Sequence, residues 1–446
     1  MNNIEYLIQR LKEHSDNEAI ICNDNIISYA DMLRLTEQWK EILKKEKIES
    51  GSVVAVTGDY SPDAISLVIA LILNKNIIVP LTPLAEPNFP QYFRISQTQY
   101  IISLSAGKYK VIKKEANPLE NHLLKHLIEQ QHPGLILFTS GSTGEPKGVT
   151  HDFEKLLSKF LTANKRFRTL CFLMFDHIAG IDTYFYSLYS GGTAIFPTNR
   201  HPGDICRLIE KHKAEVLPTS PTFLNLLLLS EEYKKYDLSS LKIITFGSER
   251  MPKPLLKRLQ EIFKDVKLVQ KYGVTELGSP ASKSKKEDSA WIKIDSGQFR
   301  TKIINNILYV KADTAMLGYL NAPNPFTEDG WYNTGDSVEV NGEYIRILGR
   351  ESEMINVGGE KVYPTEIEEV ILMMPGVEDV AVKGIESPIT GQIVQARVKL
   401  NTDETLSDFR KRMRLFCKDK LANYKIPQKV VFENQAFHGG RFKKMR

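Results

Sequence analysis

One stretch concentrates residues suited to holding an anion. The apolar run Leu135–Phe138 passes straight into Thr139, Ser140, Gly141, Ser142, Thr143 and Gly144, and Lys147 follows. Thr139, Ser140, Ser142 and Thr143 supply hydroxyl donors. Gly141 and Gly144 free the backbone to turn its N–H groups toward an anion, and Lys147 adds a mobile positive charge. A polyphosphate needs these features from a loop. The string is not the G-x-x-x-x-G-K-[ST] loop, because Gly148 follows Lys147.

Further along stands Tyr272-Gly273-Val274-Thr275-Glu276. Thr275 can donate to a phosphate oxygen, and Glu276 is a hard oxygen ligand suited to Mg2+. The same two residues also suit the first turn of a helix. Asp336 follows Gly335 at a turn into a strand, where a carboxylate can accept from both hydroxyls of a ribose. A turn Asp bonding its own backbone is the plain alternative. Arg350 can add charge beside it or make a surface salt bridge.

Together these strings resemble the adenylate-forming superfamily: acyl-CoA synthetases, peptide-synthetase adenylation domains and firefly-type luciferases. The Thr139–Lys147 string is similar to that family's phosphate loop, and Tyr272–Glu276 to its Y-G-x-T-E element. Trp331-Tyr332-Asn333-Thr334-Gly335-Asp336 resembles W-x-x-T-G-D, and Gly349-Arg350 resembles the G-R hinge signature. Asn356–Pro364, followed by Glu366-Ile367-Glu368, resembles the glycine loop that opens a mobile domain. The resemblance spans nearly the whole chain.

It implies ATP and Mg2+, an acyl-adenylate, and then a thioester formed with coenzyme A or with a carrier protein's phosphopantetheine thiol acting in trans. It also implies Gly247, Ser248 and Glu249 on the adenine side, Tyr272 and Gly273 beside the nucleotide, Glu276 on the metal, and rotation of a small domain about Arg350–Ser352. Ser352 departs from the family's usual acidic hinge residue.

On the substrate side, Phe175-Asp176-His177-Ile178-Ala179-Gly180 satisfies two family templates. Asp176 fits the residue that pairs with an amino acid's ammonium. His177 to Gly180 fits the F-H-x-x-G pattern of aryl- and fatty-acyl-CoA synthetases. His177 also reads as a core histidine bonded to a backbone carbonyl. Tyr184, Phe185 and Tyr186 read either as an aromatic slot or as core. The balance falls on a hydrophobic, aryl or fatty acid, with an amino-acid-adenylating enzyme as the alternative.

The chain ends Phe437-His438-Gly439-Gly440-Arg441-Phe442-Lys443-Lys444-Met445-Arg446. The family pattern G-K-[IV]-x-R places a lysine there to neutralise the reacting carboxylate and α-phosphate. Aligned without gaps, Arg441 takes that place and Lys444 takes the later arginine's. An arginine differs in reach and geometry. In an extended tail Lys443 shares Arg441's side, so Lys443 is preferred as the catalytic cation, with Arg441 its rival. A tail in which neither acts would leave a nucleotide-binding sensor or scaffold.

The elements that must position these residues follow from the apolar pattern. The chain has 446 residues, 42% hydrophobic and 25% charged, the composition of a folded protein. Its net charge of +5 is scattered rather than clustered, which argues against a nucleic-acid partner. The four cysteines lack zinc spacing, no secretory leader is read at the start, and Ala64–Leu73 is too short to span a bilayer. A cytoplasmic protein without a membrane span is expected.

Short β-branched runs (Ser52–Thr57, Asn76–Pro80, Tyr100–Leu104) alternate with amphipathic stretches (Tyr29–Lys45, Pro62–Leu73), which predicts an α/β fold of layered sheets. After about residue 290, alternating runs such as Ile304–Lys311 and Ser337–Val340 predict a small β-rich subdomain. Beyond Arg350 a strand–helix–strand–strand–helix order predicts a mobile α+β domain. The expected domains are 1–350, the adenylation core, and 351–446.

Overall fold

The computed structural model describes residues 2–105, 107–114, 118–139, 145–280, 282–285, 290–294, 297–435, 437–442 and 444. Near its centre lies the strand Val53–Thr57. Successive strand residues point to opposite faces, so Val54 and Val56 enter one core while Val53 and Ala55 enter another. A strand buried on both sides must be apolar at nearly every position, which is how this one reads.

It pairs in parallel with Ile77–Leu81 and Tyr100–Ser105, and Ile77–Leu81 pairs in parallel with Gly134–Thr139. Gly134–Thr139 is antiparallel to Lys147–Asp152, on whose outer edge lies Gly318–Tyr319. The second sheet runs Lys267–Gln270, Ile243–Phe246, Val216–Thr219, Arg168–Leu170, Thr193–Phe196 and Glu18–Cys22, all parallel, and closes on Asn25–Ser28.

The helix Pro62–Leu73 packs between these two sheets. Ser61 caps it by accepting from the Ala64 N–H, Pro62 opens it, and every residue from Ala64 to Ile72 is buried. A helix apolar all round belongs inside a protein. Among the described residues no helix is long and apolar enough to cross a membrane.

The β-rich unit is an antiparallel sheet of Ser282–Ser284, Ile292–Ile294, Tyr344–Arg350, Tyr332–Asn341, Ile307–Ala312 and Phe299–Ile304. Here the expectation of one strand over Ile304–Lys311 is corrected. Asn305 and Asn306 take φ of 51° and 63° and turn the chain between Phe299–Ile304 and Ile307–Ala312. Asparagine tolerates the left-handed region that such tight turns need.

Beyond Arg350 a separate sheet joins Glu360–Val362, Ile355–Val357, Gly391–Leu400, Val377–Ser387 and Lys429–Phe432. Helices Pro364–Leu372 and Leu406–Cys417 cover it, and the unit has its own core of Ile355, Ile367, Val380, Val398, Phe409 and neighbours.

Candidate active site

The candidate site lies where the β-rich sheet, the second large sheet and the C-terminal unit converge. Asp336 and Arg350 are far apart in sequence, yet the antiparallel register of Tyr332–Asn341 against Tyr344–Arg350 sets them directly opposite. The Arg350 Nε lies 3.4 Å from Asp336 Oδ1, and the Tyr272 hydroxyl donates to Asp336 Oδ2 at 2.8 Å. Gly335, at φ 67°, lies within the strand Tyr332–Asn341 and not, as expected, at a turn ahead of it, and Thr334 Oγ1 accepts from the Asp336 N–H at 3.0 Å. Burial pushes the Asp336 carboxyl above its ordinary range, while Arg350 and Tyr272 pull it down.

A second cluster holds Glu276. Tyr319 donates to Glu276 Oε1 at 2.6 Å, and the Lys147 ammonium sits 5.1 Å from the centre of the Tyr319 ring. The antiparallel pairing of Gly318–Tyr319 with Val149 and Thr150 brings these residues together. Behind them, His151 Nε2 donates to the Thr275 carbonyl at 2.7 Å. Burial lowers the His151 pKa to about 4, so its ring is neutral near pH 7. Thr139 ends its strand at the entrance to the anion loop. The expected loop residues Ser140, Gly141, Ser142, Thr143 and Gly144 lie outside the described residues, as does Lys443.

The Gly247–Arg250 segment serves the joint as well as the cleft. A Cβ on Gly247 would meet the Lys271 carbonyl at 2.7 Å, and one on Gly273 would meet Ser279 Oγ at 2.6 Å. Both glycines thus let two backbones approach closely. Ser248 adopts φ 68°. Glu249 accepts from Thr222 Oγ1 at 2.6 Å and from the Lys444 N–H. Arg250, which the sequence did not single out, reaches across to the small unit. It donates to the Leu348 carbonyl at 3.3 Å and to Thr365 Oγ1 at 3.1 Å, and pairs with Glu369 at 3.2 Å.

On the substrate side, His177 caps the helix Ile178–Ser190, its Nδ1 accepting from the Ala179 N–H at 3.2 Å. Gly180 is required by space, since a Cβ there would lie 2.0 Å from the Met174 carbonyl oxygen. Tyr184 and Phe185 are core, while Tyr186 is partly exposed. Buried Asp176 uses Oδ2 to accept from Thr82 Oγ1 at 2.9 Å, and the Arg441 Nη2 pairs with the same oxygen at 2.6 Å.

Around that ion pair the tail is pinned at several points. Phe442, at φ 50°, packs against Phe172, Phe223 and His438, and its carbonyl accepts from Ser220 Oγ at 2.7 Å. The buried Lys444 ammonium binds Asp379 Oδ1 at 2.8 Å and the Val380 carbonyl at 2.9 Å. Desolvation opposes its charge, but Glu368, Asp379 and Glu249 outweigh it and raise its pKa.

The structure therefore brings Tyr272, Asp336 and Arg350 together, and separately Lys147, Thr275 and Glu276. It sets Asp176 on Arg441. Sequence reasoning missed Thr82, Tyr319 and Phe442. None of them carries a local signature, because each acts through a partner distant in the chain.

A large α/β body is joined to a small α+β unit, and at the joint buried Asp336 and Tyr272 meet the part-exposed Arg350. The chain belongs to the AMP-binding enzyme family. That family's signature covers residues 7–297, and the AMP-binding enzyme C-terminal domain covers 366–436. The 2-succinylbenzoate–CoA ligase of Bacillus subtilis (strain 168) is 26% identical over 95% of this chain and 93% of its own length. A long-chain-fatty-acid–CoA ligase of Mycobacterium tuberculosis is 30% identical over 67% of this chain and 63% of its own. An o-succinylbenzoate CoA synthetase from Bacillus subtilis, solved with its acyl-adenylate intermediate, shares the fold. Its TM-score is 0.82 at 23% identity, over 100% of this chain and 97% of that one. The first two relatives are acid–CoA ligases.

Proposed function

We propose that this protein activates a carboxylic acid with ATP through an acyl-adenylate and passes the acyl group to a thiol, coenzyme A in the first instance. The observation that carries the reading is the buried Asp336 carboxylate, held by Tyr272 and faced by Arg350 at the joint between the two units. Such a carboxylate has oxygens in place to accept from vicinal hydroxyls, and its partners are donors that fix its orientation.

In the first half-reaction the substrate carboxylate attacks the α-phosphorus of ATP, the bond to the β-phosphate breaks, and pyrophosphate leaves. Charge builds on the phosphoryl oxygens, so fixed positive groups are the main source of acceleration. Lys147 and Thr275 suit that role. Lys443 is the preferred tail cation, with Arg441, which pairs with Asp176 just ahead of the substrate helix, as its rival.

Among the described residues no group of three or more His, Cys, Asp or Glu could hold a metal ion alone. Glu276, a buried hard-oxygen donor set by Tyr319, fits Mg2+ completed by phosphate oxygens. When bound, Mg2+ neutralises phosphate charge. In the second half-reaction the thiol attacks the acyl carbonyl, and AMP departs.

We take residues 1–350 and 351–446 as the two bodies, turning about Arg350–Ser352. A cytoplasmic setting goes with ATP and a free thiol as co-substrates. The amino-acid alternative is disfavoured because the Asp176 carboxylate is already neutralised by Arg441. Incubation with ATP, Mg2+, coenzyme A and a panel of acids tests the reading. It requires AMP, pyrophosphate and a thioester in equal amounts. Hydrolysis to ADP, or no product with any acid, contradicts it.

A further inference from the structure

Residues 437–442 and 444 form a finger with its base on the small unit and its tip in the large body. An antiparallel bridge between His438 and Lys444 closes it, and the Phe442 N–H donates to the Gly439 carbonyl at 2.9 Å inside the turn. The base is tied on both sides. Phe437 is buried, with the Arg397 guanidinium of the strand Gly391–Leu400 5.2 Å from its ring centre. The Lys444 ammonium binds Asp379 and the Val380 carbonyl.

The tip meets the large body through Gly440, Arg441 and Phe442. Gly440 passes so near Leu84 that a Cβ there would lie 2.9 Å from that side chain. Arg441 turns to Asp176. The Phe442 ring lies 5.3 Å from the Phe172 ring and 5.6 Å from that of Phe223, both core residues of the large body. Ser220, which caps the helix Pro221–Ser230, donates to the Phe442 carbonyl at 2.7 Å. His438 stacks on the same ring from within the finger, with 5.7 Å between centres.

Two features mark Phe442 as more than a packing residue. Its φ of 50° lies in the left-handed region, which a bulky side chain rarely takes. Such a conformation persists only where the surroundings hold it, and it gathers at functional sites. The ring is also only half-buried, and a cavity of about 740 Å3 lined by Thr82, Leu84, Met174 and Leu226 opens beside it. A ring held by two neighbours and open beside them is free to leave when the small unit turns.

We propose that Phe442 is the anchor by which the small unit docks for adenylation. It is a positioning residue that delivers the tail cation to the reacting carboxylate and lets go for thioester formation. Phe442 stands between Arg441 and Lys443 in the chain, so one anchor serves whichever of the two acts. The inference rests on the acid-activating reading above and adds a residue that sorts its two half-reactions.

The test separates the ring from the turn. Phe442→Asn and Phe442→Gly accept the left-handed backbone but lack the apolar ring, whereas Phe442→Leu keeps an apolar grip on a backbone that suits it less. These variants and wild type are assayed by ATP–pyrophosphate exchange over aryl and fatty acids, phenylacetate and hexanoate included. Thioester formation from the matching synthetic acyl-adenylate and coenzyme A is measured beside it and reports the amount of folded, competent protein. A misplacement of about 1 Å can cost on the order of 100-fold in rate. The expected result is a loss of exchange of that order in Phe442→Asn and Phe442→Gly, with exchange largely kept in Phe442→Leu. Thioester formation should be unchanged or faster in all three. Wild-type exchange in Phe442→Asn or Phe442→Gly would overturn the inference, since the turn alone would then suffice. So would a Phe442→Leu as slow as the other two, or equal losses in the two half-reactions, which mark a merely structural role. Absence of exchange in wild type with every acid would instead strike the acid-activating reading, and this inference with it.

Discussion

The ion pair between Asp176 and Arg441 offers the sharpest energetic expectation. Asp176 is 4% exposed and Arg441 38% exposed in their side chains, with 2.6 Å between the charged atoms. Breaking a fully buried pair by removing one partner costs about 3–5 kcal/mol, while an exposed pair contributes about 0.2–1 kcal/mol. One buried partner and one part-exposed partner place this pair between those limits, at about 1–3 kcal/mol.

Removal of Arg441 leaves the carboxylate with the Thr82 N–H and hydroxyl alone. If the pair holds the tail in place for adenylation, Arg441→Ala should slow acid-dependent pyrophosphate exchange by about 5- to 150-fold. The thiol half-reaction, started from pre-formed acyl-adenylate, should change far less. The double variant Asp176→Asn/Arg441→Ala should be less impaired than the sum of its single changes, with a coupling of at least about 1 kcal/mol. Purely additive effects, or equal losses in the two half-reactions, would refute this reasoning.

Other expectations follow from the site's neighbours. His151 is neutral and buried, its pKa lowered from 6.5 to about 4 by burial. A lowered value means stability present above pH 6.5 and lost as the pH falls toward 4, about 2 kcal/mol of it gone by pH 5. Urea unfolding should show that loss in wild type and a flatter pH profile in His151→Gln. Glu276→Gln keeps an acceptor for Tyr319 but removes the charge. It should lower exchange by about 100-fold or more and raise the Mg2+ needed for half-maximal rate, with an unchanged circular dichroism spectrum. Activity within twofold of wild type would remove Glu276 from the metal. Gly180→Ala forces a Cβ to 2.0 Å from the Met174 carbonyl oxygen, and the urea midpoint should fall by the equivalent of about 2–3 kcal/mol.

Much of the fold is legible because burial on both faces leaves a plain trace. Tyr29–Lys45 and Pro62–Leu73 are helices over the expected residues, and the central strands fall within a residue or so of their apolar runs. The hairpin at Asn305–Asn306 hides in a continuous β-rich run, because two asparagines turn a chain without the glycine that usually marks a turn. At the site, residue types such as Asp336, Arg350 and Glu276 can be read from their strings. Their partners cannot. That Arg350 stands opposite Asp336 depends on strand register, and that Tyr319 reaches Glu276 depends on a two-residue edge strand. The tail shows the same limit. Composition marks it as basic, but only packing puts Arg441 on Asp176 and turns Lys444 back to Asp379.

The central claim is that this chain makes an acyl-adenylate. Exchange of labelled pyrophosphate into ATP, with no thiol present, tests it most directly, using wild type and Asp336→Ala over aryl and fatty acids. The account requires acid-dependent exchange in wild type, and its loss in Asp336→Ala through weakened nucleotide binding. ATP bound by wild type with no exchange for any acid would contradict it.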